Sequence, residues 1–89
     1  SPGKNRKELG DGLSHVNAAL KINPKLPDAY KKKSYLLYYM GRKKEAVAAL
    51  QTGMVRIPKS GELLEAYLSL LIKLGRIQEA LKTCALKKS

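Results

Sequence analysis

Four of the five tyrosines, Tyr30, Tyr35, Tyr38 and Tyr39, fall in one short stretch, interleaved with Lys31, Lys32 and Lys33. Tyrosine joins a large apolar ring to a hydrogen-bonding tip, and lysine adds a mobile positive charge, so the pattern suits recognition of another molecule rather than bond-making. The residues that could make or break bonds are scattered. His15 has only Asp11 at a ligand-like spacing and reads as a surface histidine. Cys84 is the lone cysteine, sits in register with Leu50, a core position, and reads as a small buried hydrophobe rather than a nucleophile. The glycines are dispersed and form no phosphate-binding loop. No catalytic residue, metal site or cofactor is expected.

The elements that carry the tyrosines follow from an internal repeat. Gly41-Arg42-Lys43-Lys44-Glu45-Ala46 returns as Gly75-Arg76-Ile77-Gln78-Glu79-Ala80, an offset of 75 − 41 = 34 residues. The same offset relates Pro24-Lys25 to Pro58-Lys59, Leu37 to Leu71, Val47 to Leu81 and Leu50 to Cys84. A period of this size marks a stack of supersecondary units, each burying its apolar face on the next.

Within the period, apolar spacing indicates helix throughout. Leu9, Leu13, Val16 and Leu20 recur at four, three and four residues, on one face of a helix running from Asn5 to Ile22, with Asn5 and Glu8 as a capping pair. Gly10 and Gly12 weaken its first turns. Asn23-Pro24 ends it, because proline pushes the preceding residue out of the α region. Pro27 and Asp28 open a second helix to about Met40, and Gly41 closes it. Further helices are expected over 43–56, 61–74 with Ser60 as cap, and 77–86. The reading is an all-α chain, a helical-hairpin repeat stack or α-α superhelix of about five antiparallel helices, forming one repeat domain over 5–89. Its parts are a tail plus partial unit (1–26), a full unit (27–60) and a second, nearly full unit (61–89).

Eighteen Lys and Arg against seven Asp and Glu give a net charge of +11, a field that draws acidic peptides, nucleic acid or anionic surfaces. No segment approaches the ~18 consecutive apolar residues of a membrane span. One cysteine allows no internal disulfide, which favours a reducing, cytoplasmic setting. The start, Ser1-Pro2-Gly3-Lys4, carries no signal-peptide core and no initiator Met, and reads as a cut from a longer chain whose targeting signal would lie elsewhere.

These positions resemble the tetratricopeptide repeat, a 34-residue pair of antiparallel helices. In the unit from Pro27 to Ser60 the resemblance rests on Tyr30, Ser34, Leu37, Gly41, Arg42, Glu45, Ala46, Leu50, Gly53 and Pro58. The next unit keeps Leu64, Leu71, Gly75, Glu79 and Ala80 but has Leu68 where a small residue is expected. Before Pro24 the register covers only the second helix of a unit, through Asp11, Gly12, Val16 and Ala19.

The resemblance implies a concave groove formed by the first helix of each unit and occupied by a peptide or helix of a partner protein. Carried over by position, the groove candidates are Lys31, Lys32, Tyr35, Tyr38 and Tyr39 in one unit and Glu65, Ser69, Ile72 and Lys73 in the next. Tyr35 and Glu65 replace polar residues of the two-carboxylate clamp that grips chaperone tails, which disfavours that ligand; an acidic peptide suits the charge. The odd helix count implies that the Leu9, Leu13, Val16 and Leu20 face is open at the end of the stack, an interface for a second copy, further repeats or a partner. A basic RNA-binding module, by analogy with pentatricopeptide arrays, is the alternative, as is a self-associating scaffold.

Overall fold

Described in a computed structural model over residues 5–88, the chain forms five helices: α1 (Arg6–Ile22), α2 (Pro27–Tyr39), α3 (Lys43–Arg56), α4 (Gly61–Lys73) and α5 (Ile77–Lys88). Positions 1–4 and Ser89, part of the expected tail and last unit, lie outside the described residues. The starts of α1, α2 and α4 have local causes. Asn5 accepts from the Glu8 amide at 2.8 Å while the Glu8 carboxylate accepts from the Asn5 amide, a closed capping box. Pro27 occupies the first position of α2, and the Ser60 hydroxyl accepts from the Leu63 amide at 3.1 Å.

The helix ends repeat along with the sequence. α2 and α4 end at Tyr39 and Lys73, one residue before the expected ends Met40 and Leu74, which act as caps, and Gly41 and Gly75 follow at φ of +80° and +78°. Arg42 N–H bonds the Leu37 carbonyl and Gly41 N–H the Tyr38 carbonyl; Arg76 with Leu71 and Gly75 with Ile72 reproduce both bonds. This is the Schellman closure, and its left-handed residue favours glycine because a Cβ would crowd the backbone there. Across each turn an arginine forks onto a glutamate, Arg42 onto Glu45 with two 2.7 Å bonds and Arg76 onto Glu79 at 2.5 and 2.7 Å. The guanidinium holds each carboxyl below its ordinary value.

Consecutive helices pack on one another, and α2 also touches α4. The result is a stack of helical hairpins. The core runs through Tyr30, Leu37, Ala46, Val47, Leu50, Leu63, Tyr67 and Leu71. Leu50, Leu63 and Leu71 are fully enclosed, each contributing about 1.5–3 kcal/mol of burial. Small residues let helices approach closely: the Ser34 hydroxyl donates to the Ala46 carbonyl at 2.9 Å across the α2–α3 hairpin, and Gly53 lies under the Tyr30 ring. Tyr30 also donates its hydroxyl to the Pro24 carbonyl at 2.6 Å, pinning the α1–α2 linker.

One expectation is corrected. The α1 stripe is not open: Leu9 is 4% and Val16 7% exposed, and Leu13 and Leu20 are half-buried against the core. α2 covers it, because a helix at the end of a stack still receives the first helix of the next unit, and Leu36 faces Gly12 there. At the opposite end, on α5, Ile77, Leu81 and Leu86 face outward; Ile22 at the end of α1, Val55 on α3 and Ile72 on α4 are exposed as well. Cys84, in register with enclosed Leu50, is accordingly only half-buried.

Candidate functional site

α2 and α4 lie side by side and parallel, as two contacts show. Near their amino-terminal turns the Lys31 ammonium meets the Glu62 carboxylate at 2.8 Å. At their carboxyl ends the Lys73 ammonium stands 5.1 Å above the centre of the Tyr38 ring, a cation–π distance. Between these contacts runs an open cleft of about 410 Å³. Its floor includes Leu50, Ala66, Leu70 and Ser34; Lys31, Lys32 and Tyr35 form the α2 wall, Ser69 and Lys73 the α4 wall.

The spacing of the lining residues explains the cleft. On α4, Glu62, Ala66, Ser69 and Lys73 follow one another at four, three and four residues, a single stripe of the helix. The stripe is small at its middle, where Ala66 and Ser69 leave room, and charged at both ends. On α2 the corresponding stripe is Asp28, Lys31 with Lys32, Tyr35, and Tyr38 with Tyr39. The rings form a cluster: Tyr35 and Tyr39 have centroids 4.7 Å apart, and Tyr38 meets Tyr39 edge-on at 5.1 Å. Tyr35 remains 50% and Tyr39 37% exposed, so both retain free apolar surface.

The charges are not evenly spread. Around Lys31 stand Glu62, Asp28 and Glu65, all acting to keep its ammonium charged, Glu62 by hydrogen bond most of all. Lys31 in turn holds the Glu62 carboxyl below its ordinary value. Asp28 is pushed up, first by its hydrogen-bonding proximity to Glu62 and then by the like charge of that neighbour. At the other end, Lys73 and Lys43 both approach the Tyr38 ring.

Of the residues expected in a groove, Lys31, Lys32, Tyr35, Ser69 and Lys73 are brought together around this cleft. Tyr38 is half-buried and joins it through Lys73, and Tyr39 joins it by a tilted ring contact with Tyr35. Ile72 is exposed beyond the lining. The apolar floor was not foreseen, nor was the Lys31–Glu62 pair. A signal for the pair exists in the period: 62 − 28 = 34, so Asp28 and Glu62 are equivalent positions on neighbouring parallel helices and must lie close. Among the described residues no group of His, Cys, Asp and Glu is placed to hold a metal ion. Likewise, no described helix is long and apolar enough to cross a membrane.

Comparison with known proteins adds one relationship. Over 77 residues, 86% of its length, the chain is 38% identical to tetratricopeptide repeat protein 28 of mouse, and equally to that of human. The chain is similar to a segment of a tetratricopeptide repeat protein. That segment amounts to 3% of either relative, so the chain spans a small part of their length. No family model matches, and no solved structure matches. The similarity to a tetratricopeptide protein agrees with the stack of hairpins and with the 34-residue period, which were obtained without it.

Proposed function

We propose that this chain is a non-enzymatic, tetratricopeptide-type interaction module that binds a peptide or helix of a partner protein in the cleft between α2 and α4. The observation that carries the reading is the cleft itself: an apolar floor of Leu50 and Leu70, exposed tyrosine at its wall, and lysines at its rim. Such a surface supplies buried area through the rings and orientation through the charges. An acidic segment suits the rim and the overall field.

A polyanion is a poorer fit. An RNA strand lying along the cleft would bring phosphates against Asp28, Glu62 and Glu65, and charge along the whole path is what such strands require.

The test is selection from a displayed peptide library, followed by fluorescence anisotropy with the enriched peptides. Tyr35→Ala with Tyr39→Ala is expected to weaken binding by tenfold or more, roughly the effect of losing one hot-spot tyrosine, with helicity by circular dichroism unchanged. Undiminished binding by that variant removes the cleft from the mechanism. A labelled oligouridylate that binds more tightly than every selected peptide, and loses affinity in the variant, would put the RNA reading first.

A further inference from the structure

The cleft has a direction. Because α2 and α4 run parallel, equivalent ends of the two helices lie together, and the charges of one end differ from those of the other. At the amino-terminal end three carboxylates, Asp28, Glu62 and Glu65, stand beside two lysines, Lys31, whose ammonium is already engaged by Glu62 at 2.8 Å, and the exposed Lys32, an excess of one negative charge. At the carboxyl-terminal end Lys73 and Lys43 stand over Tyr38 with no carboxylate paired to either among the described ion pairs. The middle is uncharged, with Ala66, Ser69 and Tyr35 over the leucine floor.

We propose that the cleft accepts a partner's peptide segment in one orientation, with an acidic residue at the Lys73 end, an apolar residue against the Tyr35 ring and Ala66 above the leucine floor, and a basic residue at the Asp28–Glu62 end. The inference rests on the peptide-binding reading above and narrows it: the partner segment is dipolar rather than uniformly acidic. Charge complementarity selects the occupant. In the opposite orientation an acidic residue would face Asp28 and Glu62 while a basic one faced Lys73, and juxtaposed like charges disfavour a bound state more surely than exposed pairs favour it. A dipolar partner also leaves the Lys31–Glu62 pair intact, since its basic residue joins three carboxylates that Lys31 and Lys32 together do not neutralise.

The experiment uses two labelled synthetic peptides of identical composition. One is dipolar, with glutamates at one end, leucines at its centre and lysines at the other end; the second keeps the leucine centre and alternates glutamate and lysine in both flanks. Anisotropy titrations at low salt are made with the wild-type chain, the Glu62→Lys/Lys73→Glu double variant and Tyr35→Ala. The dipolar peptide is expected to bind the wild type about tenfold more tightly than the alternating one, a factor drawn from several exposed pairs acting together. The preference should disappear in the double variant, whose two ends no longer carry opposite excess charge, and shrink as salt screens the rim. All the substituted side chains are exposed, and circular dichroism checks their helicity; if the double variant loses structure, the wild-type comparison still decides. Equal affinities of the two peptides, both weakened by Tyr35→Ala, overturn the polarity and leave peptide binding standing. Binding by neither peptide, or binding that ignores Tyr35→Ala, overturns the cleft reading and the polarity together.

Discussion

Identical substitutions at two glycines should have opposite signs. At Gly10, on α1, an added Cβ meets nothing within 4 Å, so Gly10→Ala only replaces a poor helix former with the best one and should stabilise by about 0.5–1 kcal/mol. At Gly53, on α3, the same methyl would lie 2.7 Å from Cγ of Tyr30 and 3.0 Å from its Cβ. The ring cannot give way easily, because it is buried and its hydroxyl is tied to Pro24. Overpacking of about 1–3 kcal/mol then outweighs the propensity gain, leaving Gly53→Ala net destabilised by about 1 kcal/mol. Urea denaturation of the two variants checks both signs, and a stabilised Gly53→Ala would mean that Tyr30 has another place to go. The small residue at Gly53 was legible from its place in the repeat. The identity of what presses on it was not, since only the folded hairpin brings a residue of α2 onto it.

Helices were the most legible level, because period, caps and proline breaks all agree on them, and the structure shifts their ends by no more than two residues. Which faces they bury was legible only in part. Periodicity finds an apolar stripe on α1 but cannot say what covers it; the answer comes from α2, a neighbour in the next unit. On α5 the same blindness works in reverse: Leu81 and Cys84 repeat the positions of enclosed Val47 and Leu50, yet Leu81 is exposed and Cys84 half-buried because, among the described residues, only α4 packs on α5. Stability in such a stack passes between neighbours, so elements with a neighbour on both sides should open last. Native-state hydrogen exchange is expected to give the slowest amides in α2, α3 and α4 and amides roughly ten- to a hundredfold faster in α5, corresponding to about 1.4–2.8 kcal/mol of easier opening. Uniform protection across all five helices would instead mean that the stack unfolds as one unit.

At the scale of the molecule the governing quantity is an excess of eleven positive charges, 18 − 7, on a body measuring 42 × 30 × 16 Å. Folding draws these charges together, from an unfolded radius of gyration of about 30 Å to 13.3 Å. Repulsion therefore opposes the compact state. At about 0.01 M salt the screening length is about 30 Å, so charges interact across the molecule; at about 0.15 M it is about 8 Å and only near neighbours remain coupled. The four ion pairs among the described residues are exposed and individually weak, so screening them loses less than screening the general repulsion gains. Thermal melting is accordingly expected at a higher temperature in 0.15 M than in 0.01 M sodium chloride, by roughly a few degrees. A fall would show that the pairs, rather than the net charge, dominate. Binding should respond in the other direction, because the field that strains the fold also draws a partner's carboxylates toward Lys73, and salt removes that attraction first from the association rate. Measured on one preparation, a melting temperature that rises with salt beside an association rate that falls would assign the basic surface to the encounter with a partner; if both rise together, the charge does not steer that encounter.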